Sequence, residues 1–246
     1  MRFMEVPLFI VIHQLSKTGT YHLDAHEENQ DALCYGCNRS FSVISLADGV
    51  STCKEAKRGA EIASRAITDL LLQKGDHLFG FENQQIADFA LSHVLYELKQ
   101  KASEDRENLA EYSSTIASVF WDKRHGKLLC FNLGDSLIMA TGKSGCRVLA
   151  MPSDSSSGCC VTTTKNALLM ATVRVIDTSQ IESVIICSDG AWKPMFTKNK
   201  LRPEVAALLI RQEFEELKAF LNKQDCFDDY SFISMDIQRE CRRKSA

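Results

Sequence analysis

Five aspartates sit where apolar runs begin or stop. The run Val184–Cys187 ends on Ser188-Asp189-Gly190, Phe41–Ala47 ends on Asp48-Gly49, and Leu128–Leu133 ends on Gly134-Asp135-Ser136. Asp31 stands before the run that opens at Ala32, and the pair Asp228-Asp229 before Tyr230–Asp236. A buried strand gains from aliphatic side chains, whereas a carboxylate gains nothing there unless it is paired or binds a cation. One Asp-Gly is a common turn dipeptide. Several aspartates delivered by apolar strands to what could be one rim form a candidate converging set. Clustered carboxylates repel and shift toward their protonated form unless a cation neutralises them. Hard oxygen ligands without associated His or Cys select Mg²⁺ or Mn²⁺ over zinc. Two such ions can activate a shared water and clamp a phosphate for in-line attack. From spacing alone, the five ends could also lie at opposite rims.

The elements that position these residues follow from hydrophobic period. Strands are expected at Leu8–His13, Ala32–Cys34, Phe41–Ala47, Ser113–Trp121, Lys127–Leu133, Leu137–Ala140, Ala167–Ile176, Ser183–Cys187 and Tyr230–Asp236. Three-to-four spacing predicts helices over Glu55–Gln73, Asn83–Lys101 and Pro203 to about Leu221, the last with proline in its first turn. Ser153–Thr164 reads as a surface loop. Helices grouped apart from hairpins predict an α+β fold, not an alternating parallel one.

With 246 residues and 45% hydrophobic content, the chain can fill one large domain, and its 4 Pro and 12 Gly argue against disorder. A net charge of -3 offers no electrostatic case for a nucleic-acid partner. Arg239, Arg242, Arg243 and Lys244 read as a solvated basic tail, about 239–246. The early run Leu8–Ile12 is too short for a signal core, and nothing approaches the ~18 apolar residues of a membrane span. Irregularly spaced cysteines without an export signal suit a reducing cytoplasm. Cys34-Tyr-Gly-Cys37 lacks the second pair of a zinc site and reads as structural, with Tyr35-Gly36 at a hairpin tip.

In order, ENQDAL (Glu28–Leu33), LADGV (Leu46–Val50), NLGDS (Asn132–Ser136), CSDGAW (Cys187–Trp192) and DDYSF (Asp228–Phe232) resemble the metal-dependent protein phosphatases of type 2C, the PPM family, in its compact bacterial-style branch. Ser113-Ser-Thr-Ile-Ala-Ser118 resembles the strand that precedes the family's Gly-Asp-Ser hairpin. The resemblance spans nearly the whole chain. It implies a four-layer αββα sandwich, two antiparallel sheets face to face with helices outside, as a single domain over 1–246. It implies two Mn²⁺ or Mg²⁺ ions bridged by Asp48, with the Gly49 carbonyl, Asp189 and Asp228 completing the coordination and Asp31 acting mainly through bound water. Asp135 with Asp189 would hold a weaker third ion, and Asp228 is preferred over Asp229 as the first of its pair. The implied reaction is hydrolysis of phosphoserine and phosphothreonine in protein substrates, opposing a Ser/Thr kinase. A metal-bridging hydroxide held by Asp48 and Asp189 would attack phosphorus directly.

Three departures from the family stand out. The segment Tyr21–Glu28 holds no arginine where many members bind the substrate phosphate, and His22 or His26 is the candidate replacement. Asp48-Gly-Val-Ser-Thr52 lacks the histidine found in eukaryotic members, so leaving-group protonation falls to water or another group. The segment between Asp189 and Asp228 holds one clear helix, so the flap, about 191–226, is small. Trp121 and Trp192 read as packing residues. Two other readings stay open: a catalytically weak phosphoprotein-binding module, and a two-metal hydrolase of small phosphate esters.

Overall fold

Strands whose two faces are both apolar must be covered on both sides, and this chain builds two such sheets. The structure, a computed structural model, describes residues 10–152 and 160–237. The described residues open with β1 (Ile12–Lys17), α1 (Thr20–Ala25), β2 (Asp31–Cys37) and β3 (Phe41–Asp48). Two long helices follow, α2 (Ala56–Leu78) and α3 (Asn83–Asp105). After them come β4 (Ile116–Asp122), β5 (Lys127–Leu133), β6 (Leu137–Gly142) and β7 (Gly145–Ala150). The last third contains α4 (Ala167–Met170), β8 (Thr172–Asp177), β9 (Ser183–Cys187) and α5 (Asp189–Met195). A small hairpin, β10 (Phe196–Thr197) and β11 (Lys200–Leu201), leads to α6 (Pro203–Arg211), α7 (Phe214–Leu221) and β12 (Tyr230–Asp236).

One sheet has the order β1-β12-β9-β6-β7 and the other β2-β3-β4-β5-β8, and all their pairs are antiparallel. Three apolar cores separate four layers. Ile44, Val119 and Leu128 of the second sheet meet Ile138, Ile186 and Ile233 of the first in the central core. Val43, Phe120 and Phe131 pack outward against Ala60, Ala63, Ile67 and Val94 of α2 and α3. On the opposite face, Met139, Ile185 and Phe232 pack against Val205, Leu209, Leu217 and Leu221 of α6 and α7. Each fully buried Ile, Leu or Phe contributes about 1.5–3 kcal/mol, so the sheets are rigid supports for whatever their ends carry. The four-layer αββα sandwich is the fold that the resemblance implies.

Several boundaries differ from the sequence reading. The first strand is displaced to β1, and Leu8 and Phe9 lie outside the described residues. Tyr35-Gly36 is not a hairpin tip: β2 continues to Cys37, with Gly36 opposite Val43. The turn comes later, where Asn38 Oδ1 accepts from the backbone N–H groups of Ser40 and Phe41, an Asx turn that the strand pattern hides. Ala167–Ile176 splits into α4 and β8. The single helix expected from Pro203 is two, broken at Gln212 in the left-handed region (φ 58°). The expected flap segment contains that pair, which forms the outer helical layer. Residues 153–159 of the Ser153–Thr164 loop and the 239–246 tail lie outside the described residues.

Candidate functional site

Register decides where the aspartates go. In the first sheet, Leu137 and Phe232 both pair with Cys187. Asp135 precedes Leu137, Asp189 follows Cys187 and Asp228 precedes Phe232, so all three lie past the same end of that sheet. In the second sheet, Asp31 opens β2 and Asp48 closes β3, directly opposite each other. The sheets are tied at this end by Ser188, whose hydroxyl donates to Asp31 Oδ2 at 2.9 Å. Gly134-Asp135-Ser136 is the crossing from β5 in one sheet to β6 in the other. Gly134 makes the crossing possible with φ +112°, and a Cβ there would collide with Thr115. The five aspartates therefore share one rim.

Their electrostatics bear this out. Asp48 is pushed well above the usual carboxylate range by burial, and then by the charges of Asp31, Asp189, Asp135 and Asp228. Burial raises Asp31 to about 7, with the charges of Asp229 and Asp189 adding to it against hydrogen bonds from Ser231 and Ser188. Asp228 is raised by burial and by Asp189. Among the described residues, buried Asp31 Oδ1 and Asp189 Oδ1 have no hydrogen-bond partner. Such a set is incomplete without positive charge, and in donor type it fits a hard divalent cation. As they stand, however, no three Asp, Glu, His or Cys side chains among the described residues close around a point that could hold an ion. Asp189 Oδ2 instead receives Lys193 Nζ at 2.6 Å.

The candidate phosphate-binding histidines stand elsewhere. His22 is 2% exposed, with Nδ1 2.9 Å from Asp229 Oδ2 but off the line of a hydrogen bond. Asp229 also accepts from the backbone N–H groups of Gly19 (2.8 Å) and Gln30 (2.6 Å). Its carboxylate is thus committed inward, which leaves Asp228 as the member of the pair close to Asp189. His22 belongs to this inner cluster and is not open to a phosphate. His26 is exposed and closes α1 in the left-handed region (φ 58°).

Sequence reasoning missed three residues at the rim. Trp192, read as packing, does pack against the outer core, but it also donates its Nε1–H to the Asp135 carbonyl at 2.8 Å and so ties α5 to the crossing turn. Lys57 Nζ donates to the Asp31 carbonyl at 2.9 Å. The third is Lys193. The signal for it is the i,i+4 spacing from Asp189, invisible while Asp189-Gly190 is read as a turn instead of the start of α5.

Residues 18–224 match the family model described as Protein phosphatase 2C. No curated protein matches the chain in sequence. In fold the chain is similar to the serine/threonine phosphatase Stp1 from Staphylococcus aureus, with 18% identity over 97% of this chain and 99% of that one and a TM-score of 0.66. A bacterial serine phosphatase gives 19% identity, 94% and 98% coverage and a TM-score of 0.64. RsbX in complex with magnesium gives 15%, 92% and 94%, and 0.53. The matched model covers most of the chain, including four of the five rim aspartates, and the chain belongs to the protein phosphatase 2C family.

Proposed function

We propose that this chain is a divalent-metal-dependent serine/threonine protein phosphatase, acting on phosphorylated proteins against an opposing Ser/Thr kinase. The reading rests on one observation above all: aspartates from both sheets meet at a single rim, two of them as direct strand partners. Asp48, the Gly49 carbonyl, Asp189 and Asp228 would hold two Mn²⁺ or Mg²⁺ ions, with Asp31 in support and Asp135 at a weaker third. Bound divalent cations supply Lewis acidity toward water and phosphoryl oxygens. The protein's part is positional. Ser188 orients Asp31, Trp192 fixes the Asp135 turn, and Asp229 holds the backbone at Gly19 and Gln30.

Burial pushes the Cys187 thiol far above its ordinary value, which suppresses the thiolate a covalent mechanism needs. Among the described residues no helix is long and apolar enough to cross a membrane, and Cys34, Cys37, Cys53, Cys130, Cys146, Cys187 and Cys226 are in no disulfide. Both suit the cytoplasmic setting included in this proposal, which also takes the chain as a single phosphatase domain.

Hydrolysis of p-nitrophenyl phosphate and of a phosphothreonine peptide, with Mn²⁺ and with EDTA, tests the proposal. Turnover should require the metal and be lost in Asp48→Asn. Undiminished turnover in that variant would sink the assignment. Hydrolysis of p-nitrophenyl phosphate alone would favour a small-ester hydrolase, and tight phosphopeptide binding without turnover a binding module.

A further inference from the structure

Helix α5 carries an acid and a base to the rim on the same face. Asp189 and Lys193 lie one turn apart, and Nζ of Lys193 meets Oδ2 of Asp189 at 2.6 Å. A lysine–aspartate pair on an open helix surface stabilises little. This pair differs because its carboxylate side chain is only 9% exposed and has further carboxylates as neighbours. Asp135 and Asp228 also act on the Lys193 ammonium, and Asp228 feels its charge in return. Lys193 and Asp228 line one cavity of about 290 Å³.

The helix bearing this ammonium is held in place. Gly190 lies so close to the backbone of the Asp228-Asp229 pair that a Cβ there would collide with the Asp229 carbonyl oxygen and press tightly on that of Asp228. Trp192 clamps the other side through the Asp135 carbonyl. The ammonium is therefore held against Asp189 by a fixed helix, where the charges of Asp135 and Asp228 reach it.

Resting on the phosphatase reading above, we propose that Lys193 is a tethered counter-ion that takes the place of one divalent cation on the Asp135–Asp228 side of Asp189. Its single charge offsets part of the carboxylate repulsion, but an ammonium has no empty coordination positions and supplies no Lewis acidity. Buried Asp189 Oδ1 stays available to the remaining ions. The chain should then bind fewer ions, or bind the outermost one more weakly, than its aspartates alone would allow.

Calorimetric titration of the full chain with Mn²⁺, with electron paramagnetic resonance to count bound ions, tests this without any activity assay. Lys193→Met should gain one ion or bind Mn²⁺ more tightly by about tenfold, the scale of one nearby charge at a half-exposed site. Lys193→Arg should behave as wild type, and adding Asp189→Asn to Lys193→Met should abolish the gain. Circular dichroism checks that each variant is folded, and Lys193→Gln serves if the methionine variant is not. The proposal is overturned if wild type and Lys193→Met agree in stoichiometry and affinity, or if neither binds Mn²⁺. A failure of the phosphatase reading shows separately, as no phosphopeptide hydrolysis by either protein while the difference in Mn²⁺ binding persists.

Discussion

Asp31 and Asp48 are direct partners in the antiparallel pair of β2 and β3, where both strands reach the rim. Like charges directly opposite destabilise a sheet, so this pairing is tolerable only with a proton or a cation between the carboxylates. The burial that protects the strands makes the requirement stronger, because it removes the water that would screen the charges.

Replacing Asp48 by Asn should abolish metal-dependent hydrolysis, with Mn²⁺ affinity falling by about 100-fold or more, since altering even an outer partner of a metal ligand costs 10–100-fold. Without metal the same variant should melt at the same temperature or higher, because a repelling charge has gone. Scanning fluorimetry with EDTA and with Mn²⁺ reads both effects. A large loss of stability in EDTA would contradict the repulsion argument.

The metal-free protein should lose stability as pH rises. Asp31 is held at about 7 in the folded chain against an ordinary 3.8. Between these values the folded form keeps a proton that the unfolded form releases, so this contribution is complete below 3.8 and is lost as pH climbs through about 7. Melting temperature in EDTA, measured from about pH 5 to about pH 8, should decline more steeply for wild type than for Asp31→Asn. Saturating Mn²⁺ should oppose the decline. Equal slopes for the two proteins would count against it.

Asp228 and Asp229 should separate cleanly. Asp229→Ala strands two backbone donors and His22 in the interior, and should destabilise the fold by about 3 kcal/mol or more, as removal of a buried charged partner does. Asp228→Ala should leave the urea midpoint nearly unchanged while weakening Mn²⁺ binding. The opposite ranking in urea denaturation would reverse the assignment of the pair.

Gly190→Ala should displace α5, because the added methyl meets the carbonyls of Asp229 and Asp228. Overpacking of this kind costs about 1–3 kcal/mol. The diagnostic outcome is a joint loss, a lower urea midpoint together with weaker Mn²⁺ binding, since the same helix carries Asp189. A stability loss with unchanged metal affinity would show that α5 does not set the position of that carboxylate.

The sequence by itself determined the strands that end on aspartate, the two long helices with their Ala-rich faces, and the five ordered motifs of the family. These are local properties: period, turn chemistry and spacing along the chain. Tertiary structure decided that the five ends share a rim, because that depends on register between strands far apart in sequence, as in the pairing of Cys187 with both Leu137 and Phe232. It also moved His22 from a candidate phosphate ligand to the inner partner of Asp229, and joined Lys193 to Asp189. Even nearby boundaries needed it. The Asx turn at Asn38 and the break at Gln212 turn on backbone angles and side-chain direction, to which hydrophobic period is blind. Asp189-Gly190 shows the division most plainly: the dipeptide suits a turn, and only the packing of Gly190 against Asp228 and Asp229 makes it the first turn of a helix.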